Sequence, residues 1–252
     1  MFEPMKAALV TGASYGVGAA TALALARHGF DVVATATRES NLTTTLGAIR
    51  ETGRKAVGVE LDLRAQLSIE KTAAVAIEAL GQIDVLVNNA GVNLRSKAIE
   101  TARDDFEAVL LTNVTGTFFL TQQIGRYWVA RHLPGRIVTI ASAHALVGAA
   151  ERSAYGISKA ALLQMTRMLA IEWAEYGINV NAVAPGRLDT ASPSRAGTGT
   201  NKDYMEAMLK RIPLHRLATA EEVAAAAVFL AGPGAASITG QTIVIDGGLT
   251  AA

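Results

Sequence analysis

Thr11-Gly12-Ala13-Ser14-Tyr15-Gly16-Val17-Gly18 is the stretch that decides the fold. It joins a short apolar run, Ala7–Thr11, that reads as a strand to a segment, Val17–His28, that reads as a helix. Glycine at 12 and 16 removes the side chains that would keep a phosphate from the backbone. A helix beginning there offers unpaired N–H groups and the positive end of its dipole to that phosphate. Gly18 lets the helix pack close to the strand. Strand, glycine turn and helix in this order point to a dinucleotide site within a βαβ unit.

Outward from this turn, short β-branched runs alternate with longer helical patterns, as in a parallel sheet covered on both faces. Strands are expected at Ala7–Thr11, Asp31–Ala36, Ala56–Leu61, Ile83–Asn88, Arg136–Ser142, Ile178–Ala184 and Thr242–Ile245. Helices are expected at Val17–His28, Asn41–Thr52, Ser68–Leu80, Asp104–His132 with a break near Thr112, Ala154–Tyr176 and Glu221–Ala231. Thr219 followed by Glu222 fits a capping box opening the last of these. The expected fold is α/β: one doubly wound domain over residues 1–252, with about seven parallel strands and helices on both faces. Leu188–Thr200, rich in Ser, Thr, Gly and Pro, precedes a helical pattern at Lys202–Arg211 and reads as a small lid inserted near 188–212.

The 252 residues include 23 Lys+Arg and 22 Asp+Glu, a formal net charge of +1. Such a balance gives no field directed at nucleic acid or an anionic membrane. Hydrophobic residues make up 50% and charged residues only 18%, against about 25% charged in a typical soluble domain. That composition opposes disorder and suggests surface buried in an oligomer. The absence of cysteine excludes disulfides, thiolate metal sites and cysteine nucleophiles. No His/Asp/Glu cluster has metal-ligand spacing, so no metal is expected. The apolar run Val223–Gly232 falls far short of the ~20 residues of a membrane span. Met1–Lys6 is too short and mixed for a signal peptide, so the expectation is a soluble cytoplasmic protein.

Further motifs follow in order. Asn88-Asn89-Ala90-Gly91 ends the fourth strand, Asn113 lies in the next helical region, and Ser142 ends the fifth strand. Tyr155 and Lys159 form a Tyr-x-x-x-Lys pair, Pro185-Gly186 with Thr190 follows the sixth strand, and Ile245-Asp246-Gly247-Gly248 lies near the C-terminus. With Gly-x-x-x-Gly-x-Gly at 12–18, this set resembles the short-chain dehydrogenase/reductase family over essentially the whole length. The pattern is nearest to the 3-oxoacyl-carrier-protein reductases.

The resemblance implies a Rossmann-type fold and a nicotinamide dinucleotide held by Gly12, Ser14, Tyr15, Gly16 and Val17 in the first turn. It implies that Asp62, beside Leu63, holds the adenine amino group, and that Asn89, Ala90 and Gly91 line the adenosine ribose. Asn88 is read as structural, while Pro185, Gly186, Leu188 and Thr190 would surround the nicotinamide. Cofactor choice is read from the end of the second strand, Thr35-Ala36-Thr37-Arg38. An acid there would bind free ribose hydroxyls and repel a 2′-phosphate. A hydroxyl at Thr37 and a guanidinium at Arg38 favour NADP(H), with NAD as the alternative, although Tyr15 stands where many NADP-dependent relatives carry a basic residue.

Tyr155 and Lys159, four apart, share one helix face. A phenol with a pKa near ~10 is a poor base at neutral pH, and a neighbouring ammonium favours phenolate. By resemblance Tyr155 and Lys159 also contact the cofactor, Lys159 through the nicotinamide ribose, while Ser142 orients the substrate oxygen and Asn113 opens a helix and holds a water in the relay behind the lysine. These four would form the catalytic group of an enzyme interconverting a ketone and a secondary alcohol. Asn93, His144, Arg152 and Arg187 are substrate candidates, and Arg95 and Arg195 add to a basic mouth. Tyr176 stands where carrier-protein reductases commonly place a basic docking residue. Reduction of a 3-oxoacyl thioester therefore stands beside oxidation of a sugar, sugar acid or polyol, and a non-catalytic dinucleotide sensor is the competitor of another class. A homotetramer formed through the Asp104–His132 and Ala154–Tyr176 helices is also implied.

Overall fold

The computed structural model describes residues 7–189 and 202–251. The strands are β1 (Ala7–Val10), β2 (Asp31–Ala36), β3 (Ala56–Glu60), β4 (Val85–Asn88), β5 (Gly135–Ile140), β6 (Ile178–Pro185), β7 (Leu188–Asp189), β8 (Ala218–Thr219) and β9 (Thr242–Ile245). Seven of them form one sheet in the order β3-β2-β1-β4-β5-β6-β9, with every neighbouring pair parallel. The order reverses between β1 and β4, which opens a crevice at the carboxyl ends of these strands, where α/β sheets bind ligands.

The helices are α1 (Gly16–Arg27), α2 (Thr43–Glu51), α3 (Gln66–Leu80), α4 (Arg103–Leu110), α5 (Thr117–Arg131), α6 (Ser153–Trp173), α7 (Lys202–Arg211) and α8 (Ala220–Ala231). Successive strand residues feed opposite faces, as a two-residue period requires. Val10, Val32 and Val87 join Leu25, Ile49, Val223 and Leu230 under α1, α2 and α8. Leu9, Val33 and Leu86 join Ile69, Ile124, Trp128 and Leu162 under α3, α5 and α6. Burial on both sides explains why the strands read as nearly continuous apolar runs.

Several boundaries differ from the sequence expectation. Thr11 lies past the end of β1, and Ser142 lies beyond β5, before the 3-10 turn Ala143–Ala145. α2 begins at Thr43 after a 3-10 turn at Glu39–Leu42. The expected break near Thr112 is a turn of π-helix, Leu111–Gly116, that joins α4 to α5 without a gap. There Gly116 lies so close to Leu63 that an added Cβ would come within 2.6 Å of the Leu63 Cβ. α6 ends at Trp173, and a 3-10 turn leads to Gly177 at φ +72°, a left-handed position suited to glycine.

The capping box is present: the Thr219 hydroxyl accepts the Glu222 N–H at 3.2 Å, and the Glu222 carboxylate accepts the Thr219 N–H at 2.9 Å. Of the expected lid, α7 and the β7–β8 pair are described, while 190–201, including Thr190 and Arg195, lie outside the described residues. Among the described residues no helix is long and apolar enough to cross a membrane.

Candidate active site

The β1–α1 turn is built around close approach. Gly12 and Gly16 adopt φ of +64° and +58°. A Cβ on Gly12 would lie 2.8 Å from the Ala90 Cα, and one on Gly18 would collide with the Gly12 carbonyl and the Asn89 amide. The Asn89 side chain donates to the carbonyls of Thr11 and Gly12, both at 2.9 Å. The Thr11 hydroxyl accepts the backbone N–H of Asn89 at 2.9 Å and of Ala90 at 3.0 Å, and donates to the Val87 carbonyl at 3.3 Å.

Thr11 is thus a site residue that the motif reading overlooked; its only sequence signal is its place immediately before the first glycine. Thr11→Val leaves two backbone donors without their acceptor, which costs about 1–3 kcal/mol. Urea denaturation is expected to show that loss, together with weakened dinucleotide binding; wild-type stability would count against the role.

The start of α1 suits a pyrophosphate. Tyr15 is the extended N-cap residue, no side chain caps the helix, and the first turn contains no acid. Backbone donors, the positive helix end and a surface cleared by glycine fit a dinucleotide, with Ser14, Tyr15, Gly16 and Val17 at that end. Thr37 and Arg38 are exposed just past β2.

Past β3, the Asp62 carboxylate accepts the Arg64 N–H at 2.9 Å, its Nε at 3.0 Å and its Nη2 at 2.9 Å. These bonds hold the Asp62 carboxyl below the usual carboxylate range. Arg64, which belongs to no motif, thus holds the acid expected to meet adenine. Leu63 is buried against Gly116. Asn88 donates to the Thr121 hydroxyl at 2.8 Å in the interior, a structural contact.

α6 brings Tyr155 and Lys159 to the same crevice. Lys159 is buried, its Nζ donating to the Ile140 carbonyl at 2.8 Å and lying 5.8 Å from the centre of the Tyr155 ring. Burial lowers its pKa to about 8. A Cβ on Gly91 would lie 3.0 Å from the Asn113 Oδ1 and 3.7 Å from the Lys159 Nζ, so the absence of a side chain leaves room beside both.

Asn113 lies within the π-helical turn, where the continuous α4–α5 helix widens. Its Oδ1 accepts the Val92 N–H at 2.7 Å, and its Nδ2 donates to the Val92 carbonyl at 2.9 Å and the Ser158 hydroxyl at 3.0 Å. Ser158 in turn donates to the Tyr155 carbonyl at 2.7 Å. The Asn113 side chain therefore ties the loop after β4 to the helix that carries Tyr155. Ser142 is buried, and its Oγ accepts the His144 N–H at 3.2 Å. The His144 ring stands edge-on to Tyr155, with centroids 6.3 Å apart.

At the end of β6, Pro185 is buried and Gly186 rests on Asp246, where a Cβ would lie 2.8 Å from the Asp246 Cβ. The Asp246 carboxylate accepts the N–H groups of Gly248 and Thr250, both at 2.8 Å, which gives the IDGG motif its structural role. Leu188 is buried in β7.

Two substrate candidates engage one another: Arg152 donates to the Asn93 Oδ1 at 2.7 Å. Arg95 pairs with Glu151, whose φ is +61° and whose carbonyl accepts the Ser96 N–H at 3.1 Å. The loops after β4 and before α6 are thereby clasped, and Glu151 offsets part of the basic mouth. Arg187 follows Gly186 and is partly buried.

The whole chain has close counterparts. A family model described as enoyl-(acyl carrier protein) reductase matches residues 12–250. A short-chain dehydrogenase/reductase of Armillaria gallica is 38% identical, the match covering 97% of this chain and 95% of the relative. A 2-dehydro-3-deoxy-D-gluconate 5-dehydrogenase of Bacillus subtilis is also 38% identical, with 96% and 94% covered. A solved structure from Agrobacterium tumefaciens, provisionally assigned as a 2-deoxy-D-gluconate 3-dehydrogenase and carrying NADP, superposes with a TM-score of 0.90 at 34% identity, covering 98% of this chain and 97% of that one. Parallel sheet, glycine turn and matches along the full length agree, and the chain belongs to the short-chain dehydrogenase/reductase family of oxidoreductases.

Proposed function

We propose that the protein is a cytoplasmic, homotetrameric, NADP(H)-dependent oxidoreductase that interconverts a ketone and a secondary alcohol. The observation that carries this is the buried Lys159 ammonium beside the Tyr155 ring, in the crevice where Gly12, Gly91 and the uncapped start of α1 meet. Gly12, Ser14, Tyr15, Gly16 and Val17 would hold the pyrophosphate end, Asp62, Leu63, Asn89, Ala90 and Gly91 the adenosine, and Pro185, Gly186, Leu188 and Thr190 the nicotinamide. When bound, the nicotinamide supplies the hydride acceptor or donor.

The rest belongs to the side chains. In the oxidative direction Tyr155, as phenolate, accepts the alcohol proton; in the reductive direction its phenol returns a proton to the oxygen that forms. Lys159 places positive charge beside that oxygen and favours the phenolate. Ser142 already accepts from the His144 N–H, so its own O–H is available to donate to the substrate oxygen. Asn113 supports the relay by fixing the wall between Gly91, Lys159 and Ser158.

The NADP preference rests on the absence of an acid at the end of β2, the exposed Thr37 and Arg38 there, and the NADP in the Agrobacterium structure. Arg38→Asp is expected to weaken NADPH binding on the order of 10- to 100-fold more than NADH binding, the scale of one charge-assisted contact turned repulsive. Tryptophan fluorescence quenching measures both; equal effects on the two nucleotides would overturn the preference.

Sugar-acid relatives bring oxidation of a sugar acid or related polyol ahead of 3-oxoacyl thioester reduction. Exposed Phe119 on α5 and Met168 and Ile171 on α6 support association through those helices. The deciding experiment follows absorbance of the reduced cofactor with sugar acids, keto sugars, acyl thioesters and simple ketones side by side. Turnover that disappears in Tyr155→Phe is expected. Cofactor binding without turnover of any of them would favour a dinucleotide sensor.

A further inference from the structure

We infer that His144 is a specificity residue that donates a hydrogen bond to a second oxygen of the substrate, one or two bonds from the reacting carbon. This rests on the proposed ketone–alcohol chemistry and deepens it: the preferred substrates are hydroxylated carbonyl compounds rather than plain ketones.

Position comes first. His144 lies two residues past Ser142 on a 3-10 turn closed by its own N–H on the Ser142 oxygen, and its ring stands at 79° to that of Tyr155. It is therefore fixed by its backbone to one proposed catalytic group and lies beside the other. It also shares the lining of a hollow with Arg152 and Gly156.

Its hydrogen bonding comes next. Nδ1 is buried and has no hydrogen-bond partner among the described residues. A buried polar group without a partner is costly, and an orphaned N–H is the rarer case in folded proteins. The hydrogen-bond pattern therefore assigns the proton to Nε2 and leaves a bare lone pair at Nδ1. Charging the ring would add a buried N–H without an acceptor. Burial, with a smaller contribution from the Arg152 charge, also lowers the pKa of His144 below the usual imidazole value. The ring is thus a neutral donor whose Nε2 is the nitrogen left to meet a ligand. A neutral donor here suits an oxygen-rich substrate because it adds no charge that would compete with Lys159 for the phenolate.

The test compares an α-hydroxyketone with the corresponding deoxyketone. In the wild type kcat/KM should favour the hydroxyketone, and His144→Leu should reduce that ratio by roughly 10- to 100-fold, the scale of one lost hydrogen bond to a buried partner. His144→Gln, whose amide can place a donor near the same point, should recover most of the ratio. An independent readout uses 15N-histidine NMR of the wild type. The spectrum should report the Nε2–H tautomer, and the hydroxyketone with cofactor should shift that nitrogen more than the deoxyketone does.

A ratio unchanged in His144→Leu, or an Nδ1–H tautomer, would overturn the inference. General damage to the fold lowers both substrates together and leaves the ratio unchanged, so it would not imitate success. Turnover of neither ketone by a wild type that turns over other members of the substrate panel would also overturn the inference, whereas absence of turnover across the whole panel would overturn the proposed function and this inference with it.

Discussion

Tyr155→Phe is expected to lower kcat by roughly 100- to 10,000-fold, the range of a lost general acid–base group. The substitution removes one oxygen and keeps the ring, so the edge-on contact with His144 and the Ser158 bond to the residue 155 carbonyl persist. Dinucleotide binding, read by fluorescence quenching, should change little beside the loss in turnover. Single-turnover measurements should place the defect in the chemical step rather than in product release. Activity within a few fold of wild type would remove the phenol from the mechanism.

Lys159→Met should act in opposite directions on activity and stability. Hydride transfer should fall as severely as in Tyr155→Phe, yet the cofactor-free variant should be more stable than wild type at pH 7. Burial lowers the Lys159 pKa from 10.5 to about 8. Below about pH 8 the lysine is charged in both folded and unfolded chains, and the folded state bears the full cost of burying it. Between about pH 8 and 10.5 the unfolded chain binds more protons than the folded one, so wild-type stability rises with pH across that window. The penalty below the window, set by the shift from 10.5 to about 8, is about 3 kcal/mol. Urea titrations at pH 7 and pH 10 should therefore show the advantage of Lys159→Met shrinking as pH rises. An advantage independent of pH would contradict the buried charge.

Much of the fold could be read in the sequence because local signals agreed with the global one. The β-branched runs that became β2, β4, β5 and β6 carry a pattern only a sheet buried on both faces needs. Thr219 and Glu222 satisfy each other within one helix turn, so the box could be seen without tertiary information. Gly12, Gly16, Tyr155 and Lys159 stood out because they occur together with the other motifs of the family resemblance, in order along the chain; the spacing of each alone would not have singled them out.

What escaped depends on contacts distant in the chain. Thr11 matters through Val87, Asn89 and Ala90, and no local pattern marks its hydroxyl as an acceptor for that strand end. Asn113 lies in a π-turn, whose wider winding has no hydropathy period of its own and read as a break. The engagement of Arg152 with Asn93, and of Arg95 with Glu151, became visible only when the two loops met. Arg64 folds back on Asp62 across two residues, a choice of side-chain rotamer that composition does not encode.

The hydrogen bonds from Thr11 through Asn89 and Ala90, and from Val92 through Asn113 and Ser158 to the Tyr155 carbonyl, unite the glycine turn after β1 and the Tyr155 helix in one braced scaffold. Thr37 and Arg38 stand outside it, exposed past the end of β2. Under the proposed cofactor assignment, exchange of one coenzyme for the other belongs to that outer edge and leaves the proposed reaction machinery in alignment. Changes among the inner glycines would disturb both functions together.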